Sequence, residues 1–411
     1  MTGRHRFTAR KPHPYGREEW AVLSYRDGSV RRMAVVRYRY RLRPGAVALA
    51  ALLREWDRCR WVWNQAVARL NESGEWVRDN VLTGWRREHD WLREGSVVAQ
   101  QQMLRNFRAK RASGKGRRKF KSAKCSLPSL NYSRRGFAVK GGRLCLAGGL
   151  CIPVVWSREL PSEPSSVRVY RDSIGHWYAS FVVRCDDAAL PVCDRAIGID
   201  WGVRAVATTT DPKYDLPLVE YGKRASTELA RRQRTMARRK PARGQRASKG
   251  YLAAKRAVAK LSRKVARQRQ DTARKWATKV VANHGALAVE DFKPRFLAKS
   301  RMARKSADGA IGATKATLIE HARRAGRKVV LVPPAYTTMT CSGCGARAKS
   351  RLLLSERVFA CEFCGMIQDR DRNAARVILD RAGLNPAGAE AVRHSDLLEV
   401  RVLAEPGIPA R

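Results

Sequence analysis

The 411-residue chain carries 84 Lys and Arg against 36 Asp and Glu, a formal net charge of +48. An excess of that size opposes compaction unless a polyanion offsets it, so nucleic acid is the first expected partner and an anionic membrane surface the second. No stretch reaches the roughly 18 apolar residues of a spanning helix, no basic amphipathic anchor stands out, and MTGRHRFTARKPHP has no apolar signal core, so a membrane role is set aside and an intracellular protein is expected.

At this length two or three modules are expected. Residues 1–34 are polar and Arg-rich and read as a loose basic extension. VRYRYRL at 36–42 then alternates Val36, Tyr38, Tyr40 and Leu42 with Arg37, Arg39 and Arg41, which predicts a strand with one basic face. Past Pro44-Gly45, the positions Leu49, Leu52, Leu53, Trp56, Cys59, Trp63, Val67 and Leu70 recur at helical spacing, and helical pieces continue to about Ala112. Trp56 and Trp63 lie on that apolar stripe and read as core residues. From Arg105 to Lys124 the chain holds ten Lys or Arg and no acid.

From Cys125 to Arg184 the texture changes to short strands between glycines and prolines, with hairpins over GFAVKGGRLCLAGG and over SVRVYRDSIGHWYASFVVR, the latter turning at Asp172 to Gly175. Pairing of the 36–42 strand with these would make the helices of 46–112 an insertion into a β-barrel. After the linker DDAALPVCD, AIGIDWGVRAVATTTD predicts two strands about a turn at Gly202, the first ending at Asp200. Residues 224–279 carry twenty Lys or Arg against Glu228 and Asp271, with a break at 240–251 between two basic helices. ALAV at 286–289 reads as a buried strand ending at Glu290-Asp291, a helix from about Ala313 stops at Gly326, KVVLVP is a further buried strand, and NAARVILDRAG closes as a helix. Strands alternating with helices predict an α/β sheet over 195–384.

Cys341-x2-Cys344 and Cys361-x2-Cys364, sixteen residues apart, have zinc-ribbon spacing, with Gly345 and Gly365 supplying permissive backbone after each second cysteine. Four thiolates leave no open coordination position, so the expected Zn²⁺ is structural. The other six cysteines, Cys59, Cys125, Cys145, Cys151, Cys185 and Cys193, suggest no disulfide framework and read as small buried hydrophobes. Three acids sit where the pattern is informative: Asp200 and Glu290 at strand ends and Asp371 as the expected N-cap of the last helix. Each alone is an ordinary cap or loop charge. Converging at one sheet edge in so basic a chain, they call for divalent metal, and a pair of Mg²⁺ ions about 4 Å apart is the usual arrangement for phosphodiester hydrolysis.

GIDWGVRAVAT at 198–208, AVEDF at 288–292, and PAYTTMTCSGCG with CEFCGMIQDRDRNAARVIL at 334–379 resemble the split RuvC nuclease of the TnpB proteins of insertion sequences and of the compact type V CRISPR effectors. RYRLRP at 39–44, CRWVWNQAV at 59–67, FKS at 120–122 and GHWYASFVV at 175–183 resemble the same family's N-terminal half. The resemblance implies a multidomain α+β fold in which an N-terminal β-barrel with an inserted helical domain precedes a split RNase H-like (RuvC) α/β domain interrupted by a zinc ribbon. In this chain the barrel (wedge) would take 35–45 and 125–190, the helical recognition domain 46–124, the nuclease 191–335 and 366–384 with basic helices at 224–282, the ribbon 336–365, and a tail 385–411. It further implies an RNA-guided, Mg²⁺-dependent DNA endonuclease with Asp200, Glu290 and Asp371 as catalytic acids, Asp369 and Asp291 being lesser alternatives. The partners would be a guide RNA and target DNA, the protein a cytoplasmic, nucleoid-associated monomer of a prokaryotic cell. The segment after AVEDF lacks the aromatic-rich stretch of the family, which leaves the contacts around the site lid open.

Nucleic-acid contacts are expected from Arg37, Arg39 and Arg41, from Lys115, Arg117, Arg118, Lys119 and Lys121, and from Arg231, Arg232, Arg238, Arg239 and Lys240, since a guide–target heteroduplex is held in a positive channel. Gln100, Gln101 and Gln102 could read base edges through bidentate amides, though exposed helix glutamines need no such role. Two rival functions share these features: an RNA-guided DNA-binding protein that does not cut, and a guide-free transposase or resolvase. Replacing Cys361 is expected to disorder the DRD segment and lower cleavage.

Overall fold

The computed structural model describes residues 22–26, 29–109, 118–123, 126–186, 190–242, 244–350, 352–353, 355–384 and 401–402. The chain divides into two compact units, before and after the Asp186–Asp187 junction.

In the first unit β1 (Val22–Arg26) and β2 (Ser29–Leu42) pair as a hairpin from Arg26↔Ser29 outward. The strand expected at 36–42 therefore begins at Ser29, and part of the expected loose extension is paired backbone. The signal was Asp27-Gly28, a favoured two-residue hairpin dipeptide, while Arg31-Arg32 and Val35-Val36 hide the alternation. Farther along β2, Val36, Tyr40 and Leu42 are buried and Arg37, Arg39 and Arg41 exposed, as period two requires.

Between β2 and the next strand come α1 (Ala46–Ser73), α2 (Asp79–Glu88), α3 (Asp90–Arg93) and α4 (Val97–Ala109). The stripe Leu52, Trp56, Cys59, Trp63 and Val67 of α1 is buried, and Gly74, with φ 71°, stops the helix. The chain then forms β3 (Ser129–Ser133), β4 (Phe137–Lys140), β5 (Arg143–Leu146), β6 (Leu150–Val155), β7 (Ser166–Arg171) and β8 (Trp177–Asp186). The sheet order is β3-β7-β8-β2-β6-β5-β4, with β1 on β2. Its two end strands, β3 and β4, are joined by only a three-residue 3-10 turn, Arg134–Gly136, so the sheet curls into a nearly closed barrel. Cys145 and Cys151, expected as unlinked small hydrophobes, face each other across β5 and β6 and form a disulfide with Cα atoms 4.0 Å apart. Cross-strand neighbours are close enough for that bond.

The second unit is built on β9 (Ala196–Trp201), β10 (Ala205–Thr209) and β11 (Leu216–Pro217), followed by α5 (Tyr221–Arg224), α6 (Ser226–Arg238) and α7 (Lys249–Asn283). Next come β12 (Ala286–Glu290), α8 (Ala303–Gly309), α9 (Ile311–Arg324) and β13 (Lys328–Val332). A small ribbon, β14 (Val358–Ala360) and β15 (Ile367–Asp369), precedes α10 (Arg370–Arg381), and β16 (Arg401–Val402) adds an edge. The main sheet runs β11-β10-β9-β12-β13-β16, with β9, β12 and β13 parallel.

Both faces of this sheet are covered, which explains its near-continuous apolar strands. Ile197, Ile199, Leu287 and Val289 pack with Trp276 and Val280 of α7 and Leu318 and Ala322 of α9. The alternate residues Ala288, Val330 and Val332 pack with Ile378 of α10. Asp200 and Glu290 share the alternation of this second face, so α10 lies on the side to which they point. Among the described residues no helix is long and apolar enough to cross a membrane.

Candidate active site and four-cysteine clip

Asp200 is the second-last residue of β9 and Glu290 the last of β12, and the register Val289↔Ile199 makes them neighbours on adjacent parallel strands. Both are buried and lie side by side. Desolvation pushes the Asp200 carboxyl well above its ordinary range, and the charges of Glu290 and Asp371 push it further. Burial likewise raises Glu290, to about 7. Glu290 is fixed by its surroundings. Trp201 Nε1 donates to its carbonyl at 3.2 Å, and the buried Thr337 hydroxyl reaches its Oε1 at 3.5 Å.

Asp371, in α10, bears on the pair through its charge. It was expected to cap that helix, but Asp369 does so, its Oδ1 accepting from the amides of Asp371 and Arg372 at 3.0 Å each. Asp371 is thus in the first turn with its carboxylate unused by the cap, flanked by Arg357 Nη1 at 3.6 Å and Arg370 Nε at 3.5 Å. Asp291 is drawn elsewhere, since its Oδ1 takes the buried Lys315 ammonium at 2.7 Å.

What brings α10 so close is the absence of side chains. A Cβ on Gly198 would overlap the Ala375 carbonyl oxygen, and Ala374 and Ala375 are fully buried. The Gly in GID and the two Ala in NAA are therefore one docking contact. Arg372 reinforces it, reaching Asp215 Oδ2 at 2.7 Å and the Thr209 carbonyl.

The cysteines converge as their spacing predicts. Their ligand atoms all lie within 4.8 Å of one another, with Cys341–Cys364 and Cys344–Cys361 Sγ pairs at 3.6 Å. A tetrahedron with Zn–S of about 2.3 Å has edges of roughly 3.8 Å, so the set fits zinc. Gly345 and Gly365 have φ 74° and 69°, and each donates back to the first cysteine of its turn at 3.0 Å. Amides of Cys364 and Phe363 pull the Cys361 thiol down to about 7, while its neighbours Cys341 and Cys344 are pushed up, as when crowded thiols share one deprotonation.

The basic and polar candidates divide. Arg37, Arg39, Arg41, Lys119, Arg231, Arg238, Arg239 and Lys240 are exposed. Arg232 is half-buried and paired with Glu228, Arg118 lies over the Trp76 and Phe107 rings, and Lys121 sits 4.3 Å from the Trp63 ring centroid. Lys115 and Arg117 lie outside the described residues. Gln100 is a correction: it is 0% exposed, its amide donating to the Leu92 carbonyl at 2.9 Å and accepting from Arg86 at 2.6 Å. It holds α3 and α4 together and presents nothing to a base, whereas Gln101 and Gln102 are half-buried.

Sequence reasoning passed over Trp201, Lys315, Thr337 and Asn373. Lys315 did leave a signal, a lysine among the apolar positions Ile311, Leu318 and Ala322 of a buried helix stripe. The other three carry no pattern, because their partners are distant in sequence.

Profiles of two families match the chain: the Cas12f1-like TNB domain over residues 312–378 and a family described as "Probable transposase" over 180–301. A Streptomyces pristinaespiralis protein named "Putative RNA-guided DNA endonuclease" is 32% identical over 370 residues, covering 84% of this chain and 89% of that protein. The Escherichia coli K12 protein "Putative RNA-guided DNA endonuclease InsQ" is 28% identical over 83% of this chain and 91% of its own. Among solved structures, a Cas12f1 chain in complex with sgRNA and target DNA shares the fold, with a TM-score of 0.53 at 14% identity over 84% of each chain. The chain belongs to the TnpB family of RNA-guided nucleases, which the compact type V effectors share.

Proposed function

We propose that the protein is an RNA-guided DNA endonuclease that hydrolyses target phosphodiesters at one RuvC site formed by Asp200, Glu290 and Asp371. The observation that carries this reading is the pair of buried carboxylates on adjacent strands β9 and β12, with the charge of Asp371 on α10 acting on Asp200. Such a cluster is costly by itself, and a divalent cation removes the cost. Mg²⁺ held by these three residues would supply an activated water and stabilise the leaving oxygen.

The chain's own residues prepare that site. Thr337 and Trp201 fix Glu290, Lys315 draws Asp291 aside, and the Gly198–Ala375 contact sets the position of Asp371. In this reading 191–335 and 366–384 form the RNase H-like nuclease, interrupted by a zinc ribbon at 336–365. Residues 35–45 and 125–190 form the wedge barrel and 46–124 the recognition helices. A structural Zn²⁺ occupies the cysteines, guide RNA and target DNA lie along the basic faces, and one protomer suffices.

The test is guided cleavage. RNA that copurifies with the protein is sequenced, rebuilt with a chosen guide and assayed on matching DNA with Mg²⁺. Wild type cuts and Asp200→Ala does not. Protection without cutting by both would favour guided binding without cleavage, cutting by both alike would remove Asp200 from the site, and activity that survives RNase would favour a guide-free enzyme.

A further inference from the structure

Asn373 is 0% exposed and lies two residues after Asp371 in α10. Its side chain is spent on the clip. Its Nδ2 donates to the Thr340 carbonyl at 2.6 Å, and its Oδ1 accepts from the Ser342 amide at 2.9 Å. One amide thereby grips the backbone on both sides of Cys341. Gln368 closes the ring, its Nε2 reaching Asn373 Oδ1 at 2.7 Å and Ser342 Oγ at 2.8 Å. Arg381, at the far end of α10, adds bonds to the Ala335 carbonyl at 2.6 Å and Thr340 Oγ1 at 3.0 Å.

A buried amide with both ends paired cannot shift alone, because each broken bond strands a desolvated partner. The Cys341 turn and the first turn of α10 must move together or not at all. We propose that Asn373 is the positioning residue that couples the order of the four-cysteine clip to the placement of Asp371. Zinc does no chemistry at the acids, yet with this side chain as the buried centre of the link its presence bears on where the third acid stands. The proposal rests on reading Asp371 as a metal-binding acid.

The test is a cycle of wild type, Asn373→Ala, Cys361→Ser and the double variant, read by hydrogen exchange of the 368–374 segment, by zinc release to a chelator where the clip is intact, and by guided cleavage. Asn373→Ala should release zinc about 10- to 100-fold faster, as loss of a partner outside a metal's ligand set does. Each single variant should speed exchange of the segment and lower cleavage about tenfold or more, and the double should be no worse than the worse single. Unchanged exchange in Asn373→Ala, or effects that multiply, would overturn the coupling. Fast zinc release with undisturbed cleavage would also overturn it, reducing Asn373 to a support of the clip. If Asn373→Ala fails to fold, Gln368→Ala, which removes only the outer donor, gives a smaller shift in the same direction. Should wild type cut no guided target, the functional reading fails while the exchange cycle still decides the coupling.

Discussion

The four-cysteine clip and the acidic group are assembled in opposite ways. The cysteines come from one short segment, positions 341 to 364, and two glycine-ended turns present them in pairs. The acids come from positions 200, 290 and 371, and only the stacking of two parallel strands against a helix unites them. Local backbone geometry makes the first site. The second exists only once the fold does, and burial works against it, raising the proton affinity of Asp200 and Glu290. A carboxylate group that its own surroundings oppose is held by the whole domain, so it should answer to changes far from the acids themselves.

The largest effect expected on this contrast is removal of an acid. Asp200→Asn should lower guided cleavage by at least about a thousandfold, on the order of 4 kcal/mol of transition-state stabilisation, while raising the Tm of the magnesium-free protein. A Tm that falls instead would break the idea that the cluster opposes the fold. Cys361→Ser should act in the reverse sense, lowering Tm in all buffers and cleavage by about a hundredfold through the α10 clamp. Gly198→Ala, which touches no ligand, forces α10 from β9 and should cost about 2 kcal/mol of stability and about tenfold or more in cleavage, measured by denaturant melts and product formation.

A smaller effect is expected with pH. The folded Glu290 takes its proton near 7 against an ordinary 4.5, so between those values the folded state binds more protons than the unfolded one. Stability of the magnesium-free, zinc-replete protein therefore falls as pH rises through about 7, and Tm should be lower at pH 8 than at pH 6. Glu290→Gln should flatten that slope. Smallest of all, Lys275→Ala breaks an exposed i,i+4 pair with Asp271 and should leave denaturant melts almost unchanged.

Much of the site could be read from the sequence, for reasons that follow the same contrast. Spacing alone gave the clip, because two turns make it. Asp200 and Glu290 stood at the ends of apolar runs and so marked themselves. Asp371 was assigned to the right helix but to the cap, because DRD offers two acids and only the backbone tells which one accepts the amides. Asn373 stood in the DRDRNAA run at the start of the helix, but its bonds to the Cys341 turn, like those of Thr337, could not be read there, since the partners lie across the fold. The three glutamines show the converse, as a polar run on a helix looks exposed until the Arg86 and Leu92 contacts of Gln100 are seen. In the barrel the alternation of Val36 to Leu42 was plain, while the disulfide depended on the register of β5 and β6, which no local pattern fixes.

The close seat of α10 on Gly198 also sets a schedule for synthesis. About 170 residues separate Asp200 from Asp371, and at roughly 5–20 residues per second a ribosome needs on the order of ten to thirty seconds to make them. During that interval β9, β12 and β13 can pair, but the face that α10 covers stays bare and the third acid does not yet exist. The third acid thus joins the other two only when the clip and the helix behind it have emerged.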